Sequence, residues 1–160
     1  MDTWPPHKFD RYAEYHAALL ALVQNAQRTL VFYEQDYSNT GLDSRAAYDA
    51  LNAFFMRNPA SEVRFLAQDP AYIASHCPLL LQLRETRSHQ FSMRLMPANS
   101  LALPWPFGLA DMQRIVRRNH FDWAKGETSD DARQCTLALQ AFENAWETAT
   151  FDSAWQRLSL

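Results

Sequence analysis

TLVFY, Thr29 to Tyr33, and VRFLA, Val63 to Ala67, are the two stretches that decide the fold. Each is a continuous run of β-branched, aromatic and aliphatic residues of strand length, which is typical of a strand that is buried on both faces. Between them lies the apolar stripe of one helix, formed by Ala47, Leu51, Phe54 and Phe55. A strand, a crossover helix and a second strand predict a parallel βαβ unit.

The rest of the chain extends this unit on both sides. Helical spacing of apolar residues predicts a first helix over residues 10–27 and a divided crossover over 71–87. The run QFSMRL, residues 90–95, alternates and predicts a half-exposed strand near an edge. FGLAD and RIVR predict a hairpin, and Ser129 is the expected N-cap of a closing helix. We therefore expect an α/β sandwich with a mostly parallel sheet, a hairpin and flanking helices.

Composition limits the class of protein. The 160 residues are 48% hydrophobic and 21% charged, which predicts one compact domain over residues 1–160. The net charge of −3 gives no long-range attraction to nucleic acid or to anionic lipid. Cys77 and Cys135 are too far apart for zinc-type spacing, and no apolar stretch has the length of a membrane span. We expect a cytoplasmic protein without a metal or other cofactor.

Several local stretches resemble a known fold. The βαβαβ half, the strand that ends at Asp111 and the closing helix with FENAW, residues 142–146, resemble one repeat of the phospholipase D-like fold. More narrowly, YEQDYSNTGLDSR, DPAYIASHCP and FGLADMQRIVRRNHFD resemble an uncharacterised bacterial domain often found behind acetyltransferase domains of the GNAT superfamily. The resemblance covers roughly residues 12–148 and implies an acetyltransferase-type partner.

LPWPFGLAD, Leu103 to Asp111, lies where this resemblance places the catalytic motif. The family's chemistry uses a His-x-Lys-x-x-x-x-Asp run, in which histidine attacks phosphorus and lysine holds the phosphate oxygens. Alignment on Asp111 places Pro104 at the histidine position and Pro106 at the lysine position. Neither proline can act as a nucleophile, a proton carrier or a cation. We therefore expect no covalent-histidine phosphodiesterase activity and assign no catalytic residue.

Candidate ligand-binding residues lie at the predicted strand ends. Asp36 follows the first strand and Asp69 the second, where open α/β sheets bind ligands, although aspartates before turns are also common caps. Arg45 begins the second helix and either binds an anion or pairs with Asp36 or Asp43.

Two histidines are weaker candidates. His76 has no second histidine at ligand spacing, so a structural hydrogen bond is the favoured interpretation. His120 precedes Asp122, which could orient its imidazole, or the same residues could close a loop.

Arg117 is the most informative residue of the arginine-rich run RIVRR. In a strand, Arg117 shares one face with Ile115, whereas Arg114 and Arg118 share the other, so the arginines cannot form one nucleic-acid patch. We expect Arg117 to be more than half buried and to bind a carboxylate, Asp111 or Asp36, or a bound anion.

Two functions follow from these residues. The first is a non-catalytic phospholipase D-like module that binds a phosphate-bearing ligand or a partner protein, with the following ligand-binding residues: Asp36, Arg45, Asp69, Asp111, Arg117 and His120. The alternative is an Mg²⁺-dependent phosphoesterase in which Asp36, Asp69 and Asp111 converge. The interspersed arginines favour the first function, because a divalent site needs unpaired acids.

The resemblance also implies a homodimer, since proteins with a single phospholipase D-like repeat pair about a two-fold axis. The tryptophans give separate support: Trp146 falls on a helical stripe, whereas Trp4, Trp105, Trp123 and Trp155 fall in predicted loops or termini. Tryptophan is favoured at interface centres, and Trp105, between two prolines, is the expected anchor.

Overall fold

The structure is a computed structural model that describes Trp4, residues 6–97 and 104–151, and Trp155. In chain order the described elements are β1 (His7–Phe9), α1 (Tyr12–Asn25), β2 (Thr29–Glu34), α2 (Arg45–Arg57), β3 (Glu62–Ala67), α3 (Ala71–His76), α4 (Pro78–Thr86), β4 (Phe91–Leu95), β5 (Phe107–Ala110), β6 (Arg114–Arg118), β7 (Gly126–Ser129) and α5 (Ala132–Thr148). The described strands form one seven-stranded sheet in the order β1-β7-β6-β5-β2-β3-β4.

The βαβ unit, the edge strand and the hairpin are confirmed. β2 pairs with β3 in parallel, with α2 as the crossover, and β4 adds a third parallel strand at one end of the sheet. β5 and β6 pair as an antiparallel hairpin. Phe91 and Met93 of β4 are buried while Ser92 is exposed, as the alternation of QFSMRL predicts.

The prediction of a mostly parallel sheet is wrong. The hairpin returns against β2 in the antiparallel direction, and β7 and β1 continue that direction, so four of the six described strand pairings are antiparallel. Sequence analysis missed β1 and β7 because they contain three and four residues, HKF and GETS, too few to show a period.

The last helix begins later than predicted. Ser129 is the final residue of β7, and the N-cap of α5 is Asp131, whose carboxylate accepts the backbone N–H of Gln134 at 2.9 Å. Ser129 has a different role, because its Oγ accepts the backbone N–H of Asp131 at 3.0 Å.

Helices cover both faces of the sheet. α1, α2, α3 and α4 bury the face that carries Phe32, Phe65 and Phe91, while α5 buries the face that carries Val31 and Leu109. Within the described residues, no helix has the length and apolarity to span a membrane.

Two arginines fix α5 on its face of the sheet. Arg64 of β3 donates two hydrogen bonds to Glu143, at 2.8 and 2.7 Å, and Arg94 of β4 donates to the carbonyl oxygen of Trp146 at 3.0 Å. Both guanidinium groups lie over the Trp146 ring, at 5.4 and 4.3 Å from its centroid. The hydrogen bonds from Arg64 lower the pKa of Glu143. Helix α5 is therefore held by ion pairing and cation–π contacts as well as by its apolar stripe.

The chain itself covers three of the tryptophans expected at an interface. Trp155 is fully buried and its Nε1 donates to the Pro70 carbonyl at 3.2 Å. Trp4 is partly buried and donates to the Ile115 carbonyl at 3.4 Å, while Trp105 packs beneath the guanidinium of Arg117. Tryptophan exposure therefore gives the homodimer less support than the sequence implied, and the dimer stays a prediction.

Candidate functional site

The strand-end aspartates Asp36 and Asp69 stabilise local turns. Asp36 accepts hydrogen bonds from the backbone N–H of Ser38 at 2.9 Å and from its hydroxyl at 2.7 Å. Asp69 accepts the backbone N–H of Ala71 at 2.9 Å. These are Asx-turn bonds of the kind that aspartate makes after strands. Their role in ligand binding stays a prediction.

Asp111 and Asp36 lie at opposite ends of strand β2. Because β5 is antiparallel to β2, its last residues lie beside the beginning of β2, where the Asp111 backbone N–H donates to the Thr29 carbonyl at 2.8 Å. The carboxylate accepts the backbone N–H groups of Gln27, Arg28 and Thr29 at distances of 2.7 to 3.3 Å. The expectation that the three aspartates converge is therefore wrong, because Asp111 closes the turn between α1 and β2.

Arg45 is an exposed helix residue. Its side chain is 75% exposed, and its Nε donates to Asp49 at 3.2 Å, one helical turn away, rather than to Asp36 or Asp43. A surface pair of this kind stabilises a helix by only about 0.3 to 0.5 kcal/mol.

The two candidate histidines have local partners. His76 is exposed, stacks on Tyr72 at 4.6 Å between ring centroids, and lies 2.8 Å from the Ser75 hydroxyl through Nδ1. His120 accepts the backbone N–H of Asp122 at 3.1 Å and packs against Trp123 at 5.4 Å between centroids. Asp122, which the sequence suggested as the residue that orients the His120 imidazole, has its Oδ2 atom 3.7 Å from His120 Nδ1.

Arg117 is more than half buried and binds a carboxylate, which confirms that expectation. Its side chain is 21% exposed, with Nη2 at 3.3 Å from Glu127 and Nε at 3.0 Å from Gln134. The carboxylate partner is Glu127 of β7, not Asp111 or Asp36, because β7 pairs with β6 and places Glu127 opposite Arg117. The guanidinium lies 5.0 Å from the centroid of Trp105.

Arg118 forms a deeper ion pair that sequence analysis missed. Its Nη2 lies 2.9 Å from Glu34, the last residue of β2, and both side chains are only 3% exposed. The Tyr15 hydroxyl donates to the other oxygen of Glu34. Nη1 of Arg118 donates to the carbonyl oxygens of Phe121 and Trp123, at 2.8 and 3.0 Å. The group therefore joins helix α1, two strands and the loop that follows β6.

A signal for this pair was present in the sequence. Glu34 continues the run TLVFY without a break and so places a carboxylate in a buried strand, which requires a cation. Arg118 lies on the same strand face as the apolar Val116. Because helices cover both faces of the sheet, Arg117 is partly buried on one face and Arg118 is buried on the other.

Burial raises the pKa of Glu34 to about 7 and outweighs the Arg118 guanidinium and the Tyr15 hydrogen bond, which both lower it. Burial also raises the pKa of Tyr15, and the Glu34 carboxylate adds to that rise. For Arg118, burial lowers the pKa, but the nearby Glu34 carboxylate more than offsets this and the net shift is upward. Arg118 therefore stays protonated, whereas Glu34 titrates near neutral pH.

The raised pKa of Glu34 predicts a pH-dependent stability. A carboxyl group whose pKa is higher in the folded protein, about 7 against 4.5, stabilises the fold at low pH and loses that stabilisation as the pH rises through this window. As the pH rises from about 4.5 to about 7, the wild type should therefore lose on the order of 3 kcal/mol of unfolding free energy relative to Glu34→Gln. Urea denaturation of both proteins from pH 4.5 to 8 measures this difference. A difference that is constant with pH, or that grows in favour of the wild type, contradicts the prediction.

An open cleft lies where β1, β7 and β6 meet the start of α1. Its volume is about 560 Å³, within the usual range for ligand sites. The lining residues are Lys8, Phe9, Asp10, Glu14, Arg117, Asn119, Lys125, Gly126 and Glu127. Arg117, Glu127 and Lys8 occupy matching register positions on three successive strands. Of the ligand-binding residues that the sequence predicted, only Arg117 lines this cleft.

Sequence comparison then assigns the chain to a family. The profile of a family described as "Domain of unknown function (DUF7931)" matches residues 11–158. The chain belongs to this family. A comparison with curated proteins finds no match.

Solved structures with a similar fold include three proteins of different kinds. TrmBL2, an archaeal chromatin protein whose structure shows a mode of DNA binding, has a TM-score of 0.66 at 13% identity over 91% of this chain and 53% of its own. NucT from Helicobacter pylori has a TM-score of 0.62 at 8% identity over 94% of this chain and 100% of its own. Phosphatidylserine synthase from Haemophilus influenzae Rd KW20 has a TM-score of 0.59 at 12% identity over 87% and 36%.

These similarities show a shared mixed α/β fold. At 8 to 13% identity they concern the arrangement of strands and helices and not the site residues. The chain spans about half the length of TrmBL2 and about a third of the synthase.

Proposed function

We propose that the chain is a non-catalytic phospholipase D-like module that binds a phosphate-bearing ligand in the cleft between β1, β6 and β7. One observation carries the proposal. The sequence contains only two lysines, Lys8 and Lys125, against 13 arginines, and both lysines line this cleft. Within the described residues, neither lysine has a carboxylate within ion-pair distance.

The two unpaired ammonium groups suit a phosphate. Lysine is a compact point charge with three rotatable donors, so it can follow phosphate oxygens without a fixed geometry. The chain uses arginine at its other cationic positions, several of which form the fixed pairs that hold the fold, such as Arg64 with Glu143 and Arg118 with Glu34. Lys8 and Lys125 are the cations of this cleft that remain available to a ligand.

The acidic residues of the cleft limit the kind of anion it binds. Glu127 is neutralised by Arg117, and the Glu14 carboxylate accepts the backbone N–H of Asp10 at 3.2 Å. Asp10 and Glu14 keep acceptor oxygens for hydroxyl groups. The cleft therefore suits a phosphate that is attached to a hydroxyl-bearing group better than a bare polyanion.

The absence of a catalytic apparatus is part of the proposal. Pro104 and Pro106 stand where the resemblance requires histidine and lysine. The backbone around them has a structural use, because the Pro106 carbonyl accepts the N–H of Arg118 at 3.1 Å. The fold similarity to NucT and to phosphatidylserine synthase supports the phospholipase D-like part of the proposal but not its chemistry.

The magnesium-dependent phosphoesterase has no support in this geometry. Asp111 lies at the opposite end of the strands from Asp36 and Asp69, and its carboxylate accepts hydrogen bonds from three backbone N–H groups. Among the described residues, no three histidine, cysteine or acidic side chains are grouped to hold a metal ion.

Thermal unfolding with inorganic pyrophosphate tests the proposed function. At ten times its Kd, pyrophosphate should raise the Tm by about 3 to 6 °C over sodium chloride of equal ionic strength. The double variant Lys8→Gln/Lys125→Gln should lose this rise and keep the wild-type Tm without ligand, because both lysines are exposed and neither has an ion-pair partner among the residues that the structure describes.

Arg45→Gln is the matched control, since Arg45 is an exposed cation of the predicted strand-end site. It should keep the pyrophosphate response. A response that Arg45→Gln abolishes and the lysine variant keeps would move the site to the ends of β2 and β3. The absence of any response in the wild type, both to pyrophosphate and to ribose 5-phosphate, would reject phosphate binding altogether.

A further inference from the structure

The loop between β6 and β7 forms one rim of the cleft. Asn119 and Lys125 both line the cleft, and the loop closes between them, with the Asn119 N–H donating to the Lys125 carbonyl at 2.7 Å. A second bond, from the Trp123 N–H to the His120 carbonyl at 3.1 Å, tightens the loop. Residues 120–124 therefore lie between two residues that line the cleft.

Trp123 projects from this loop into solvent. It is 55% exposed, whereas Trp155 is fully buried and Trp4, Trp105 and Trp146 are partly buried. Trp123 makes one ring contact among the described residues, with His120 at 5.4 Å between centroids. Trp123 belongs to the loop whose two ends, Asn119 and Lys125, line the cleft, and an exposed indole is a surface on which a planar group can stack.

The buried ion pair fixes the backbone that carries this indole. Arg118 donates to the carbonyls of Phe121 and Trp123 from inside the protein, and Glu34 holds the guanidinium in place. The loop is thus bound from beneath by a side chain that is 3% exposed. A stacking surface held in this way loses little conformational entropy when a ligand binds.

We infer that the ligand is a nucleoside phosphate whose base stacks on Trp123 while its phosphate binds Lys8 and Lys125. This inference rests on the proposed function, to which it adds the chemical class of the ligand. The carboxylates of Asp10 and Glu14, in the same cleft, supply acceptors for the ribose hydroxyls. Base stacking, cationic phosphate contacts and hydroxyl acceptors are the three features that such a ligand needs.

Calorimetric titration with AMP and with ribose 5-phosphate tests the inference, because ribose 5-phosphate carries a hydroxyl group where AMP carries its base. AMP should bind the wild type roughly 10- to 100-fold more tightly, which is the usual effect of stacking one base on an aromatic side chain. Trp123→Ala should remove this advantage and leave the affinity for ribose 5-phosphate unchanged. Trp123→Phe should keep most of it, since phenylalanine retains a stacking face.

Phe151→Ala is the control, because Phe151 is also a large exposed aromatic but lies next to the bridge between Thr150 and β4, at the other end of the sheet. It should bind AMP like the wild type. Equal affinities of the wild type for the two ligands, or an AMP advantage that survives Trp123→Ala, would overturn base recognition while phosphate binding stands. If neither ligand binds while pyrophosphate still raises the Tm, the nucleoside phosphate is rejected and phosphate binding stands; if pyrophosphate also has no effect, the proposed function itself fails.

Discussion

At pH 8, above the pKa of about 7 of Glu34, Arg118→Ala should reduce the free energy of unfolding by about 3 to 5 kcal/mol, because it leaves the Glu34 carboxylate buried without a cation. Four further contacts are lost: those to the Phe121 and Trp123 carbonyls and the cation–π contacts with Tyr12 and Tyr15, at 5.5 and 5.0 Å from the ring centroids. Urea denaturation measures the loss, and hydrogen exchange should show faster opening of residues 119–125.

Arg117→Ala is the matched comparison. The neighbouring arginine has a carboxylate partner too, but Arg117 is 21% exposed and Glu127 is 25% exposed, so water can replace the lost partner. The cost of Arg117→Ala should be about 1 kcal/mol. Equal losses in the two variants would show that the Arg118 pair is no more important to the fold than the partly exposed Arg117 pair.

Gly126→Ala should cost at least about 3 kcal/mol, because the added methyl group meets backbone that cannot move without breaking the sheet. A Cβ at Gly126 would collide with the carbonyl oxygen of Arg117 and lie 2.8 Å from the Cα of Arg118. Relief requires β7 to separate from β6, and among the described strands β1 pairs only with β7. Chemical denaturation should show the loss, together with reduced amide protection in β1 and β7.

Gly108→Ala provides the comparison for this substitution. Its Cβ would lie 2.8 Å from the ring of Phe32 and 3.0 Å from the Cδ2 atom of Leu19, which are side-chain atoms that can shift. We expect a cost of about 1 to 2 kcal/mol at Gly108. A smaller loss at Gly126 than at Gly108 would mean that the β6–β7 pairing adapts more readily than the core.

Sequence patterns predicted the elements that contain enough residues to show a period. Leu19 of α1, Phe54 of α2 and Phe142 of α5 are buried as their spacing requires. Strands β2 and β3 were predicted from continuous apolar runs, although β2 extends one residue further, to Glu34. That additional residue, Glu34, is the buried acid that pairs with Arg118.

Candidate site residues were predicted less well, because aspartates after strands have two uses that look alike in sequence. Asp36 and Asp69 form turns after their strands, and Asp111 closes another turn at the opposite end of β2. The expected burial of Arg117 is confirmed because strand alternation alone determines which face it occupies. Its partner was not predictable, since β7 was not recognised as a strand.

By itself, the sequence determined the helical stripes, the βαβ unit, the hairpin and the two prolines, Pro104 and Pro106, at the positions where the resemblance expects histidine and lysine. These depend on spacing within one segment. Only the tertiary structure decided the direction of the sheet, the Glu34–Arg118 pair and the meeting of Lys8 with Lys125 in one cleft. Each of these joins residues that are far apart in the chain, and their contact depends on strand pairing, which no local pattern specifies.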